Sequence, residues 1–531
     1  MKALQSLLND PLTIQLLSTH PNTYAVEPTS FRIPHVDDWL DLIKFYATGR
    51  ADDDQCSSSK IPLDLLQLIA SVRQLQLPRE PISMANILKP RSEQGMSPKK
   101  SHEVSRMATY IVELVSRLPS SSKGLRIVDI GAGQGYLTRA LKTHLPSSHI
   151  LALDADIEQT KGAQKWEKRL LPKEAREPPI DHKVVFISRD TLLNAVNEWV
   201  GSHTTAEEGQ VPVLFVALHA CGSLTPDILR AFAHAANGKG PERRDWYPAG
   251  LVVVGCCYNL MAPSDYPPST KHLPLSAYHL AAQIPSQWLH YPEASPNRPI
   301  LDPSVALSIR KVTWRALLSK ALEAASRHPG GSQQPHSQPT SATVPARWSR
   351  RPQPGPETDA SQYEAPESGT GFTRTMNRLG KLRDSVYTSW NTFLRSAEEK
   401  LGVVFDESEF DDEDEDNVRF NSDRTVDGAG GEDVGAREPT KGRPRGRDTQ
   451  LENELAALHV LRCLLGPAIE SAILLDRIGW IQEELGIGKD GEESSQKREG
   501  GLNFQAEVVN LFDQSTGSGR NVAIVVIPHD A

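Results

Sequence analysis

A chain of 531 residues with 38% hydrophobic content is long enough for two or three packed units, and part of it is too polar to offset its ordering entropy. Nine acids and no base lie between positions 406 and 416, so that run alone accounts for the formal charge of −9; the rest is near neutral and gives a strongly basic nucleic-acid surface no support. Five cysteines with one adjacent pair make no secreted disulfide framework, the start M-K-A-L-Q-S-L-L-N-D-P is too short for a signal peptide, and eighteen apolar residues never run together, so we expect a soluble intracellular protein, cytoplasmic or nuclear, with no membrane contact.

Residues 1–95 read as an N-terminal helical region. S-F-R-I-P-H-V-D-D-W-L-D-L-I-K-F-Y-A and I-P-L-D-L-L-Q-L-I-A-S-V-R-Q-L carry apolar residues at three- and four-residue steps, with prolines marking starts and stops. This region could recognise a substrate or simply stabilise the rest of the fold. The first part of the core is expected over 96–326. It opens with M-S-P-K-K-S-H-E-V, where Ser97 suits a helix cap and Pro98 the first helical position. Lys99, Lys100, His102 and Glu103 crowd the first turn. A cationic start opposes the helix dipole, so Lys100, His102 and Glu103 are substrate-side candidates.

The stretch L-R-I-V-D-I-G-A-G-Q-G-Y-L-T-R-A-L then reads as strand, tight turn and helix, with Gly131, Gly133 and Gly135 at every second position. Glycine lets backbone touch a ligand, and the helix start offers unpaired amides. A dinucleotide site reads G-x-G-x-x-G, whereas here the third glycine comes one residue early. Asp129, two residues before the first glycine, suits a ligand with an ammonium and a sulfonium better than a phosphate. The pattern therefore points to S-adenosylmethionine. H-I-L-A-L-D is a second strand ending at Asp154, placed to take ribose hydroxyls.

A helix and a third strand, K-V-V-F-I-S-R-D, follow; Asp190 just past it could accept from an adenine amino group. V-P-V-L-F-V-A-L-H-A-C-G-S-L is a fourth strand with His219, Cys221 and Gly222 at its tip, leading to a helix with Thr225 as cap. G-L-V-V-V-G-C-C-Y-N-L-M is a fifth, ending at Cys256, Cys257, Tyr258 and Asn259; Tyr258 is a further substrate-side candidate. Strands alternating with helices predict an α/β, Rossmann-like, mostly parallel sheet covered on both faces, with ligands beyond the carboxyl ends of its strands. Residues 276–290 and 311–326 look helical. Residues 327–371 read as a disordered insert, 372–405 as a helical island and 406–447 as an acidic, then Gly/Arg-rich, disordered linker. Over 448–531, two helices interrupted at Gly466 and Pro467 precede two strands, an antiparallel hairpin that would complete a seven-stranded sheet.

Several of these stretches together resemble the methyltransferase-like protein 25 family, also described as the ribosomal RNA adenine dimethylase domain-containing group. They are M-S-P-K-K-S-H-E-V, V-D-I-G-A-G-Q-G-Y-L, H-A-C-G-S-L, G-C-C-Y-N-L, L-S-A-Y-H-L-A-A-Q-I-P-S-Q-W, Y-T-S-W-N-T-F-L, A-I-E-S-A-I-L-L-D-R and R-N-V-A-I-V-V-I. The resemblance implies a class I S-adenosylmethionine-dependent methyltransferase. Gln134 and Asn259 stand where that family often has lysine and histidine. Adenine dimethylation is not expected, because His219, Ala220, Cys221 and Gly222 replace the D/N-P-P-Y/F element of adenine-N6 enzymes.

Methyl transfer from a sulfonium needs an aligned nucleophile and a way to remove its proton. His219 is the candidate base or orienting group, and Cys221 could instead attack a pyrimidine ring. His219, Cys221, Cys256 and Cys257 could also hold a soft metal, but without C-x-x-C spacing or paired histidines no metal is expected. The expected function is methyl transfer to an RNA or protein. The rival reading is a cofactor-binding, inactive scaffold whose N-terminal helices or acidic insert engage protein partners.

Overall fold

The computed structural model describes residues 2–27, 31–49, 61–118, 124–203, 210–238, 244–291, 299–327, 379–411, 446–487, 503–516, 518–519 and 521–529. Most of the insert expected at 327–371 and of the linker at 406–447 lies outside these residues. The chain divides into two units, one of residues 1–316 with 449–531, the other of residues 317–448.

The larger unit opens with α1 (Lys2–Leu8), α2 (Pro11–Ser18), α3 (Pro21–Val26), α4 (Trp39–Thr48) and α5 (Leu63–Leu75). Helix α4 starts only at Trp39, where the Asp38 carboxylate accepts from the Leu40 amide; the segment before it is not helical. Next come α6 (Pro98–Arg117), β1 (Arg126–Ile130), α7 (Tyr136–His144), β2 (His149–Asp154), α8 (Ile157–Leu170), β3 (Ile180–Val184), α9 (Arg189–His203), β4 (Val211–Cys221), α10 (Leu224–Ala236) and β5 (Trp246–Cys256). After α11 (Leu275–Leu280) and α12 (Pro303–Arg327), which belongs to the larger unit as far as residue 316, the unit is completed by α14 (Thr449–Leu464), α15 (Gly466–Leu485), β6 (Phe504–Asn510) and β7 (Val522–Pro528), while α13 (Trp390–Leu401) belongs to the smaller unit.

The strands form one sheet in the order β3-β2-β1-β4-β5-β7-β6. The first five are parallel, and β7 runs antiparallel to both β5 and β6. This is the expected Rossmann-like, mostly parallel α/β sheet, closed by the C-terminal antiparallel hairpin. Side chains alternate across it: Leu214, Val216, Val252 and Val254 join Val104, Ile111 and Leu141 of α6 and α7 on one face. Phe215, Ala217, Leu251 and Val253 join Val196, Phe232 and Leu474 of α9, α10 and α15 on the other. Covering both faces forces the reacting groups to the sheet's end.

Three local expectations are corrected. Strand β3 lies earlier than K-V-V-F-I-S-R-D, because its register with β2 ends at Asp154 opposite Val184 and α9 already begins at Arg189. Thr225 is not a cap: α10 starts at Leu224, and the buried Thr225 hydroxyl donates backward to the Ala220 carbonyl at 3.0 Å. Within 276–290 only Leu275–Leu280 is α-helical; Leu289–His290 pairs antiparallel with Ile300–Leu301.

The N-terminal helices pack against the C-terminal helical pair. Arg462 of α14 is buried and donates through Nη1 to the carbonyls of Leu16, Leu17 and Thr19 at 2.6, 2.6 and 2.7 Å, and Tyr24 donates to Glu454 at 3.1 Å. The span Thr449–Leu485 is long and apolar enough to cross a membrane, but 89% of its most apolar window is buried inside the protein, as in a core helix. In the smaller unit the helical island appears as α13, capped by Ser389, with Trp390 donating to the Glu409 carbonyl at 2.8 Å.

Candidate active site

The turn after β1 is built on three left-handed glycines, with φ of +73° at Gly131, +55° at Gly133 and +68° at Gly135. A side chain at Gly135 would press on Ala163 of α8 at 3.2 Å, and one at Gly131 would meet Leu224 at 3.3 Å and the His219 carbonyl at 3.8 Å. The turn is thereby wedged between α8 and the tip of β4. Gly133 is different: among the described residues nothing lies within 4 Å of where its Cβ would stand. The backbone there faces open space, as a ligand cradle requires.

Asp129 lies under this turn and not on its surface. It is 2% exposed, and its Oδ2 accepts from the Thr138 hydroxyl at 2.5 Å, so a strand-end carboxylate caps α7, whose N-cap Gly135 has no side chain to do so. Burial pushes its pKa up to about 6, and the nearby Asp154 charge adds to that, while the hydrogen bonds from Thr138 oppose it. Any cation on the turn above would favour the ionised form. Asp129 is therefore placed to influence whatever lies on the turn through its charge and through the helix it holds, and not by direct contact.

Asp154, at the end of β2, accepts from the Gly133 amide at 2.9 Å with one oxygen and from the Asp156 amide at 2.7 Å with the other. Each carboxylate oxygen has a second lone pair, enough for a vicinal diol. Asp190 stands apart from this pattern. Its side chain is 70% exposed and both oxygens are bound by Arg189, at 2.8 and 3.2 Å, which holds its pKa below the usual carboxylate range. The expected adenine contact thus has its acceptor atoms engaged by a neighbouring guanidinium. Gln134 packs on Gly162 and donates to Gln159 at 2.8 Å, joining the turn to α8.

The fold brings two of the expected groups together across the sheet end. Glu103, 2% exposed on α6, has Oε2 3.5 Å from His219 Nε2 at the end of β4, and its Oε1 accepts from the Ser518 hydroxyl at 2.6 Å. His219 is 25% exposed, so one edge reaches solvent while the other meets a buried carboxylate. Sequence reasoning missed the pairing, and Ser518 with it, because 116 and 415 positions separate them from partners on other elements.

The remaining substrate-side candidates separate. Lys100 lies over the Tyr136 ring, 5.1 Å from its centre, and Tyr136 in turn donates to the Gly95 carbonyl at 2.8 Å, so this lysine stands at the entrance of the turn. His102 Nε2 accepts from the Asp513 amide at 3.0 Å and its ring meets Phe512 edge-on. Burial and then Arg106 lower its pKa, as suits a neutral acceptor. Tyr258 is turned inward: it is buried and donates to Glu470 at 2.9 Å, and Glu470 is paired to Arg79 at 2.9 Å. Cys221 is exposed, with Sγ 3.2 Å from Cys256 Sγ and 3.6 Å from Cys257 Sγ.

A family model described as a methyltransferase domain matches residues 99–264, from the start of α6 past the end of β5. That segment contains Glu103, Asp129, the three turn glycines, Asp154 and His219, while Gly95, Asp513 and Ser518 lie outside it. Solved structures that the chain resembles include the plantazolicin methyltransferase BpumL in complex with SAH, at 14% identity over 29% of this chain and 48% of that one, with a TM-score of 0.18. A geranyl diphosphate methyltransferase in complex with SAM is 13% identical over 33% and 63%, with a TM-score of 0.17. Coclaurine N-methyltransferase bound to N-methylheliamine and SAH is 13% identical over 48% and 60%, with a TM-score of 0.18. The chain thus spans about half to just under two thirds of the solved methyltransferases it matches, at scores too low to transfer anything from them.

Proposed function

We propose that this chain is an S-adenosylmethionine-dependent methyltransferase acting on a macromolecule, RNA or protein, by in-line transfer, and that it belongs with the methyltransferase-like protein 25 group it resembles. The observation that carries the proposal is the open face of Gly133, flanked by Asp154 and underlain by the buried charge of Asp129, one strand away from the Glu103–His219 pair. The methyltransferase domain match over residues 99–264 supports the enzyme class and the cofactor.

These residues fit the cofactor on structural grounds. The left-handed turn leaves room where any side chain would intrude, Asp154 presents acceptors to hydroxyls, and Asp129 supplies negative charge that a pyrophosphate would oppose. When bound, S-adenosylmethionine supplies a methyl group on a cationic sulfur. The chain's own residues do the rest. Glu103, fixed by Ser518, sets its carboxylate 3.5 Å from His219 Nε2, so that the imidazole beside it is the group suited to take a proton. As the nucleophile takes the methyl group, its proton passes to His219, and the buried carboxylate offsets the imidazolium charge. Lys100 and Tyr136 line the approach.

Incubating the purified chain with cell extract and tritiated donor, then digesting separately with nuclease and protease, tests this reading and identifies the substrate class. Label that becomes acid-soluble with one digestion only is the expected result. Absence of label, from wild type that binds the donor, would favour an inactive scaffold.

A further inference from the structure

The expectation that no metal binds here rests on the missing C-x-x-C spacing, yet the fold gathers three sulfurs that the sequence keeps on two separate strand ends. Cys221 and Cys256 are register partners at the tips of β4 and β5, and Cys257 follows directly. The sulfurs of all three lie within 4.8 Å of one another, the closest pairs at 3.2 and 3.6 Å, and no disulfide joins them.

Two further observations point to an ion. The first is backbone geometry: Cys257 has φ of +50°, in the region that favours glycine, and is the one non-glycine residue there among those described. A left-handed cysteine costs roughly 1–2 kcal/mol. Its sulfur completes the trio. The second is charge. Arg477 of α15 is 5% exposed, and its Nη1 has no hydrogen-bond partner among the described residues. That nitrogen stands 2.9 Å from where a Cβ on Gly255 would be, beside Cys256, while its other terminal nitrogen contacts the Met261 sulfur at 2.9 Å. A buried guanidinium with an unmet N–H needs negative charge nearby, and the groups whose charge acts on it are Tyr258, Asp265, Asp476 and, last, Cys256.

We propose that Cys221, Cys256 and Cys257 bind a thiophilic divalent ion of the zinc type through three sulfurs, with the fourth position open on the exposed Cys221 side. Zinc–sulfur bonds of about 2.3 Å in a tetrahedron set sulfurs about 3.8 Å apart, close to the observed spacing. Three thiolates around a divalent ion leave one negative charge, and Arg477 is the buried cation beside Gly255, next to Cys256 in the chain. The site stands whether or not the chain transfers methyl groups, and its test uses no activity.

Full-length protein, reduced and stripped of metal under anaerobic conditions, is titrated with Co²⁺ alone. One equivalent is expected to produce thiolate-to-cobalt charge-transfer absorption and the strong visible bands of tetrahedral cobalt, and Zn²⁺ to abolish both. Cys221→Ser, at an exposed position where folding is checked by an unchanged thermal melt, should weaken binding at least tenfold, and Arg477→Met about tenfold. Cys463→Ser, a buried cysteine on α14, should bind as wild type does. Wild type without these bands would overturn the site, as would bands of full strength and affinity in Cys221→Ser. A Cys221–Cys256 disulfide found by peptide mapping after anaerobic purification and thiol trapping would also overturn it.

Discussion

Replacing Asp129 by asparagine should stabilise the protein while weakening its grip on the donor. The carboxyl is buried, and its pKa of about 6 stands about two units above the ordinary 3.8, so at neutral pH the ionised group costs the fold on the order of 3 kcal/mol. The sign follows from which form the fold favours. Below about pH 4 the group is protonated folded or unfolded and costs nothing; from about pH 4 to 6 stability falls as pH rises, and above about 6 the whole cost applies. Asparagine keeps an oxygen for the Thr138 hydroxyl and carries no charge. In thermal melts Asp129→Asn should therefore exceed wild type at pH 7.5, with the gap closing toward pH 4. A cation on the turn reverses the preference, because it needs the carboxylate ionised. By calorimetry, wild type should bind S-adenosylmethionine up to roughly tenfold more tightly at pH 7 than at pH 5, and the variant more weakly with little pH dependence. A variant that melts below wild type at pH 7.5 and binds the donor equally well would refute the reasoning.

Gly133→Ala should cost only about 1 kcal/mol of stability, since its methyl group meets none of the described residues, yet lower donor affinity tenfold or more, as calorimetry will show. Once a substrate is identified, His219→Ala and Glu103→Gln should each slow turnover by roughly a hundredfold while leaving the donor Kd within about threefold; an equal loss of donor binding would make them structural. Arg462→Ala strands two buried carbonyls and a part-buried one and should destabilise the larger unit by about 3 kcal/mol or more, measured by denaturant unfolding.

Much of the sheet was legible because its signals are local. Buried β-branched runs, left-handed glycines and amphipathic helices each lie within a dozen or so residues, and β1, β2, β4, β5 and the closing hairpin fall where they were expected. The third strand was displaced because K-V-V-F-I is as β-prone as the residues before it, and only pairing with β2 decides where it ends. Tyr258 looked like a site residue at a strand tip, but its partner Glu470 lies 212 positions away and turns it inward. The Glu103–His219 pair was hidden for the same reason: a tertiary meeting of a strand end and a helix leaves no periodic trace in the chain, whereas the cysteines could be grouped in advance because each sits at the tip of a legible strand.

Titrating S-adenosylmethionine into the full-length protein by calorimetry, with NAD as a competitor, tests the central claim most directly: that a carboxylate under an open glycine turn selects a cationic adenosine over a pyrophosphate coenzyme. The account predicts one molecule bound per chain and no competition by NAD. Folded wild type that gives no heat with the donor, or that yields it to NAD, would contradict it.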